Sequence, residues 1–193
     1  MDDYSGSEED KVLLGSFLKG NNTAFSSIYN KYVDELFAYG LGLGFEREIL
    51  KDAIQDVFVK FYIHKKQLKE ITHLKYYLFR MVKNRLLDIR KSYVKENSLE
   101  GPELPFLIEP SVLDDLIADE EKHNLERRVH ELLHVLTDRQ REAIYLRFIQ
   151  EMEYEEVANL LNMTAPATRK LISRAIKRMR DEIFFKKWEQ KNE

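Results

Sequence analysis

The sequence contains no cysteine, only four prolines and no long apolar run. Without thiols the chain can form neither a disulfide nor a thiolate metal site, which is compatible with a reducing cytosol. No window approaches the roughly 18 apolar residues that span a bilayer. The acidic N-terminus, MDDYSGSEED, lacks the basic and apolar parts of a signal peptide. We therefore expect a cytoplasmic protein that is not inserted into a membrane.

The net charge of −3 hides three blocks of opposite sign. Residues 60–95 carry eleven Lys and Arg against two acidic residues, and residues 169–187 carry eight against two. Between them, residues 96–126 carry ten acidic residues and one Lys. Charge distribution matters more than the sum for the choice of partners. The chain therefore has two basic regions separated by an acidic one.

Three of the prolines, at positions 102, 105 and 110, interrupt the chain between two strongly periodic regions. We predict a first domain over 1–94, a flexible acidic linker over 95–121 and a second domain over 122–193. Strict polar–apolar alternation, the strand pattern, is absent, so the predicted fold is all-α with two small helical domains. The predicted helices begin near Ser7 and then cover about 23–40, 46–63, 73–92, 122–136, 138–149, 153–161 and 165–188.

The last predicted helix has an apolar stripe and a cationic stripe on opposite sides. The apolar stripe consists of Ile172, Ala175, Ile176, Met179 and Ile183, and the cationic stripe of Lys170, Ser173, Arg174 and Lys177. Thr164 is the predicted N-cap, and a short helix with a tight connection at Asn162 precedes it. This order is the helix-turn-helix pattern, in which Arg can fork onto a guanine edge. The alternative is an ordinary solvated face.

An earlier basic helix, HLKYYLFRMVKNRLLDIRK, combines cations with aromatic side chains. Its outward positions include Arg80, Lys83, Asn84 and Lys91, interleaved with Tyr76, Tyr77 and Phe79. Cations and aromatics suit single-stranded nucleic acid, although aromatics at helical spacing are also typical of a core. Arg85 falls within the apolar stripe, and we predict that it pairs with Asp88 at i, i+3.

The preceding helix, ILKDAIQDVFVKFY, places acidic and aliphatic residues on its outer face. Leu50, Ile54, Val57, Phe58 and Phe61 are expected to face inward, and Asp52, Gln55, Asp56, Val59 and Ile63 outward. Acids mixed with exposed aliphatics predict a basic protein partner. The alternative is a solvated face with two stray aliphatics.

His130 to His134 read HELLH, the zinc-hydrolase pattern on a helix. The two His lie on the flank of a predicted buried stripe, no strand precedes them, and a third ligand would have to come from Glu151, Glu153 or Glu155. We therefore predict no metal, no cofactor and no catalytic residue, and zinc hydrolysis stays a remote alternative.

Taken together, these segments resemble the extracytoplasmic-function (ECF) group of bacterial sigma-70 factors. AFSSIYNKYVDELFAYGLGL, LKDAIQDVFVKFY and YYLFRMVKNRLLDIRK are similar to the region 2 helical bundle of that group. LLHVLTDRQREAIYLRFIQEMEYEEVANLLNMTAPATRKLISRAIKRMR is similar to its region 4 helix-turn-helix domain. The resemblance implies a non-enzymatic subunit that directs RNA polymerase to promoters.

The resemblance also implies a role for each matching position. Core polymerase, through its β′ clamp and β flap, would be the protein partner, with β′ docking at Asp52, Gln55, Asp56 and Phe58. Recognition and melting of the −10 element, including capture of the non-template strand, would use Arg80, Lys83, Asn84, Arg90 and Lys91. Duplex −35 recognition would use Tyr154, Thr164, Arg169, Lys170, Ser173, Arg174 and Lys177.

Two further expectations follow from the resemblance. An anti-sigma factor is an expected partner, and the acidic linker would follow the polymerase's RNA path. The chain departs from the usual family pattern at Tyr77, Glu151, Glu153 and Asn162, and at Ala167-Thr168, so a −35 sequence cannot be borrowed from relatives. A stand-alone helix-turn-helix regulator is the alternative reading.

Overall fold

The computed structural model describes residues 8–97, 106–107, 129 and 131–192, and within these ranges the chain forms helices and no strands. The all-α prediction is confirmed. The chain divides into two compact units, Met1–Glu103 and Leu104–Glu193. Most of the predicted linker over 95–121 and the predicted helix over 122–136 lie outside the described residues, as do the Ser7 cap and His130.

Four helices and one short 3-10 helix build the first unit. They are α1 (Glu8–Leu18), α2 (Asn22–Gly42), α3 (Arg47–Ile63), the 3-10 helix Lys65–Glu70, and α4 (Leu74–Asn97). Gly20, at φ 99°, makes the left-handed turn out of α1. Asn21 then caps α2, because its side-chain oxygen accepts a hydrogen bond from the backbone N–H of Thr23 at 2.9 Å.

An aromatic and aliphatic core holds α1 to α4 together. Phe17 stacks on Phe61 with ring centroids 5.3 Å apart, and Tyr39 packs against Phe79 at 5.1 Å. At Gly40 a Cβ atom would lie 2.2 Å from Cδ2 of the fully buried Leu50 on α3, so a larger residue there would force the Leu50 side chain to move. Leu50 therefore lies on the side of α3 that packs against α2.

The buried carboxylate of Asp10 links α1 to α2 by hydrogen bonds. The Tyr32 hydroxyl donates a 2.5 Å hydrogen bond to the Asp10 carboxylate, which also accepts one from Lys31 at 2.9 Å. Burial, reinforced by the neighbouring Asp10 carboxylate, raises the pKa of Tyr32 far above its ordinary value. The phenol therefore remains a protonated donor under all physiological conditions.

The second unit consists of shorter helices followed by one long helix. Residues 131–134 are helical, and α5 (Asp138–Ile144) runs into a π-helical turn, Tyr145–Ile149. These are followed by α6 (Tyr154–Leu160) and α7 (Ala165–Asn192). Thr137 and Gln140 form a capping box at the start of α5. The continuous helix predicted over 138–149 is therefore α-helical only to Ile144.

Phe106 belongs to the core of the second unit, although the sequence pattern placed it in the linker. Its side chain is only 2% exposed, and its ring lies 5.4 Å from the ring of Tyr145. The backbone N–H of Phe106 donates a hydrogen bond to Asp138 Oδ1 at 3.1 Å. The compact second unit thus includes residues well before position 122.

The apolar stripe of α7 is buried only near its N-terminal end. Ile172 and Ala175 are 1% and 0% exposed, whereas Ile176 and Ile183 are 42% and 40% exposed. Both α5 and α6 pack against α7, but each has only seven residues, so at a rise of about 1.5 Å per residue they cover only part of 28-residue α7. The apolar stripe predicted for the last helix is therefore covered at Ile172 and Ala175 and left exposed at Ile176 and Ile183.

Candidate nucleic-acid and protein-docking surfaces

The turn between α6 and α7 is closed by local hydrogen bonds. Asn162 adopts a left-handed backbone conformation at φ 51°, which Asn tolerates better than most residues. The Met163 N–H donates to the carbonyl of Ala158 at 2.8 Å. The predicted cap at Thr164 is present, since its hydroxyl accepts a hydrogen bond from the Ala167 N–H at 3.4 Å. These contacts fix where α7 leaves the turn.

The cationic stripe of α7 faces solvent. Lys170, Ser173, Arg174 and Lys177 are all exposed, while Thr168, Ile172 and Ala175 on the other side are buried. No acidic side chain in the described part of the chain pairs with Lys170, Arg174 or Lys177. We name Lys170, Ser173, Arg174 and Lys177 the α7 cationic face. The unpaired charges of its three cations can engage phosphates, and Arg174 can donate two hydrogen bonds to a base.

A groove of about 470 Å³ continues the α7 cationic face toward the start of α5. Arg174 and Lys177 line it together with Arg178, whose guanidinium donates to the Gln140 side-chain oxygen at 3.2 Å. Gln140 is itself buried. The groove therefore places three cations and one carboxylate, that of Asp181, beside a buried polar side chain, and its net positive charge suits a phosphate backbone.

Arg169 differs from the other cations of α7 because it already has partners. Its Nη2 atom lies 2.9 Å from Glu155 Oε1 on α6, and its guanidinium carbon lies 5.3 Å from the centre of the Tyr154 ring. The guanidinium carbon of Arg147 lies 5.0 Å from the same ring. The sequence patterns did not single out Arg147, and they offered Glu155 only as a metal ligand.

The predicted promoter-contacting residues on α4 form a second polar surface. Arg80, Asn84 and Lys91 are exposed, and Lys83 and Arg90 are half-buried. Of the three interleaved aromatics, Phe79 is fully buried in the core, whereas Tyr76 and Tyr77 are half-buried. Burial raises the pKa of Tyr77, while the positive charge of Arg80 acts in the opposite direction. Two aromatic rings therefore remain accessible beside the cations.

The prediction that Arg85 pairs with Asp88 is wrong. Arg85 Nη2 instead donates to Asp56 Oδ2 on α3 at 2.6 Å. Arg85 points from α4 into the contact with α3, where Asp56 is within reach, whereas Asp88 lies on the exposed side of α4. A long-range partner has replaced the local one.

The predicted docking residues on α3 divide into exposed and buried groups. Asp52 and Gln55 are exposed, and Asp56 is half-exposed. Phe58 is only 3% exposed and packs against Tyr29 with ring centroids 4.8 Å apart. Phe58 therefore supports the surface of α3 from beneath and is not itself exposed on it.

An apolar groove of about 460 Å³ lies beside the acidic positions, between α2 and α3. Val59 and Ile63 on its rim are 49% and 66% exposed, as the sequence pattern predicted. Phe25, Val33 and Phe58 line its interior. Exposed apolar surface next to carboxylates is typical of a protein-binding face.

The remaining sequence patterns concern a metal site and a membrane span. Within the described residues no three His, Cys, Asp or Glu side chains are grouped closely enough to hold a metal ion. His134 is exposed and Glu131 is half-buried. Of the helices that the structure describes, none has the length and apolar character of a membrane span.

Residues 132–181 match the family described as Sigma-70, region 4. The chain is 24% identical over 155 residues to the ECF RNA polymerase sigma factor SigM of Bacillus subtilis (strain 168), covering 79% of this chain and 91% of SigM. It is 22% identical over 171 residues to SigW of the same organism, covering 86% of this chain and 91% of SigW.

Two solved structures share the fold. CnrH, in complex with the cytosolic domain of CnrY, aligns with a TM-score of 0.58 at 20% identity, covering 91% of this chain and 97% of CnrH. The sigma factor RpoE, in complex with the anti-sigma factor NepR from Bartonella quintana, aligns with a TM-score of 0.57 at 20% identity, covering 81% of this chain and 94% of RpoE.

Proposed function

The chain belongs to the ECF group of sigma-70 RNA polymerase sigma factors, and from that premise we propose how its surfaces divide the work of transcription initiation. It binds core RNA polymerase and directs it to promoters with −35 and −10 elements. The observation that carries the proposal is the α7 cationic face, exposed on the second helix of a helix-turn-helix whose other side is packed.

The second unit reads duplex DNA at the −35 element. In this proposal α7 enters the major groove, with Arg169, Lys170, Ser173 and Arg174 toward base edges. Tyr154, Thr164 and Lys177 contact phosphates and set the register of the helix. Exposure of the α7 cationic face and the hydrogen-bonded turn at Asn162 support this assignment.

The first unit binds the −10 element as it opens. Arg80, Lys83, Asn84, Arg90 and Lys91 of α4 contact the DNA, and the half-buried Tyr76 and Tyr77 offer rings for unstacked bases. Affinity for the non-template single strand drives melting. We propose that the chain has no catalytic residue or cofactor of its own and that nucleotide hydrolysis is not required of it.

Polymerase docks on the outer face of α3. Asp52, Gln55 and Asp56 offer acidic and polar contacts to the β′ clamp, and Phe58 supports them from beneath. The second unit meets the β flap, and residues 95–121 join the domains over 1–94 and 122–193, with Phe106 anchored to the second.

An anti-sigma factor is a further partner, because RpoE and NepR form such a complex. The protein acts in the cytoplasm, where its polymerase is.

Transcription in vitro with purified core polymerase tests the proposal. A library of genomic promoter fragments should yield defined start sites only when the chain is added, because core polymerase alone lacks promoter specificity. The second unit by itself would also suit a stand-alone helix-turn-helix regulator. Such a regulator should not retain core polymerase in a pull-down. Absence of both initiation and polymerase capture would refute the sigma-factor proposal.

A further inference from the structure

Glu155 stands at the edge of the proposed DNA-reading surface and holds one of its cations. Its carboxylate lies 2.9 Å from Arg169 Nη2, across the turn between α6 and α7. Both side chains are more than half exposed, at 62% for Glu155 and 54% for Arg169. The contact is therefore reachable by DNA, and a ligand that offers better acceptors can replace it.

Tyr154 and Arg147 form the floor beneath this ion pair. Arg147 is anchored, because its Nη1 atom donates to the carbonyl of Met152 at 2.9 Å. Tyr154 lies within cation–π distance of both guanidinium groups. Arg169 thus has a preferred position even without DNA, whereas Lys170 and Arg174 extend into solvent without a described ionic partner.

The ion pair with Glu155 changes the free energy that Arg169 gains on binding DNA, because the pair has to break when Arg169 takes a new partner. A phosphate can accept two hydrogen bonds from the Arg169 guanidinium, but it is an anion and the neighbouring Glu155 carboxylate repels it. A guanine edge presents O6 and N7 together and can accept two hydrogen bonds from one guanidinium. Because the guanine edge is uncharged, the Glu155 carboxylate disfavours phosphates, which every sequence offers, more than it disfavours a correctly placed guanine.

We propose that Glu155 is a specificity-determining residue, which holds Arg169 away from non-cognate phosphates and releases it to a guanine edge in the cognate duplex. The inference rests on the proposed function of the second unit as a duplex reader. Glu155 works through Arg169 and needs no contact with DNA itself. Removal of its charge should weaken discrimination rather than abolish binding.

The experiment uses the full-length chain and two duplex probes. One is a pool of random-sequence duplexes, and the other is the sequence that the unaltered protein enriches from that pool. Dissociation constants are measured by fluorescence anisotropy for the unaltered protein, Glu155→Gln, Arg169→Ala and the double variant. Glu151→Gln, an exposed residue of the same unit, removes the same charge without touching Arg169. Thermal unfolding followed by circular dichroism verifies that all variants fold.

Glu155→Gln should bind the random pool about three- to fivefold more tightly, the effect expected from breaking one exposed ion pair. Its affinity for the enriched duplex should change less, so the ratio of the two affinities falls. The change should vanish when Arg169 is already Ala. Equal tightening on both probes, equal tightening in Glu151→Gln, or persistence in the Arg169→Ala background would overturn the role of Glu155. Failure of the unaltered protein to enrich any sequence would instead refute duplex reading itself.

Discussion

Arg85 of α4 and Asp56 of α3 are joined by a 2.6 Å ion pair that links the helix proposed for promoter contact to the helix proposed for polymerase docking. Arg85 is 37% and Asp56 48% exposed, and the Arg85 Nε atom is buried without a hydrogen-bond partner. The pair therefore belongs to the packing between α3 and α4 as much as to the surface.

Loss of either partner of this pair should destabilise the first unit unequally. Asp56→Asn leaves a partly buried guanidinium without its counter-charge, whereas Arg85→Met leaves a carboxylate that water can still reach. We expect a coupling energy of about 0.2–1 kcal/mol from the double-mutant cycle, with Asp56→Asn the more damaging single change. Urea unfolding measures all four proteins. A coupling of zero, or the reverse order, would contradict the structural role of the pair.

Substitutions at Phe58 and at Asp52 should both weaken polymerase binding, but for different reasons. Phe58→Ala empties a buried aromatic site and should lower the free energy of unfolding by about 3–5 kcal/mol. Asp52→Ala, at an exposed position, should change stability by less than about 0.5 kcal/mol and still weaken capture of core polymerase. Unfolding curves and pull-downs of the same preparations separate the effects. A stable Phe58→Ala protein that no longer binds polymerase would show that the ring itself contacts the partner.

Phe106 should contribute to the stability of the second unit. Phe106→Ala removes a buried ring from Tyr145, whereas Leu107→Ala changes a side chain that is 49% exposed. We expect faster amide hydrogen exchange across α5 in the first variant, with a loss of about 3 kcal/mol or more, and little change in the second. Unaltered exchange in Phe106→Ala would mean that residue 106 is not part of the folded unit in solution.

The α7 cationic face should account for much of the salt dependence of duplex binding. Lys177→Ala removes one phosphate-contacting cation, so the slope of log affinity against log salt should become shallower by about 0.9. Lys51→Ala on α3, a cation paired with Glu48 in the other unit, is the matched control. Titrations at several salt concentrations give the slopes. A slope that responds to Lys51 and not to Lys177 would place the DNA surface elsewhere.

Stability should fall at alkaline pH because of Tyr32. Its pKa is raised in the folded state, so above pH of about 10 the unfolded chain releases a proton that the folded chain keeps. Each such proton costs about 1.4 kcal/mol of stability per pH unit. Tyr32→Phe should flatten this decline, whereas Tyr62→Phe, at a 42% exposed ring, should retain it. Urea midpoints between neutral and strongly alkaline pH provide the measurement, and an unchanged decline in Tyr32→Phe would refute the assignment.

Local patterns in the sequence were sufficient for the helical fold and for the outward faces of two helices. The bounds predicted for α2, α3 and α4 agree with the structure to within about five residues, because helical periodicity and caps depend on neighbours in the chain. The exposure of Lys170 and Arg174, and of Val59 and Ile63, followed from the same periodicity. So did the cap at Thr164.

Tertiary structure alone decided the partners that lie far apart in the chain. Arg85 binds Asp56 rather than Asp88, Arg169 binds Glu155, and Phe106 packs on Tyr145. A sequence pattern shows which side of a helix is apolar, but the end of the neighbouring helix determines how far that side is covered. For the same reason a charged side chain on a helix flank takes whichever opposite charge the packing brings within about 3 Å, and only the assembled unit brings these residues together.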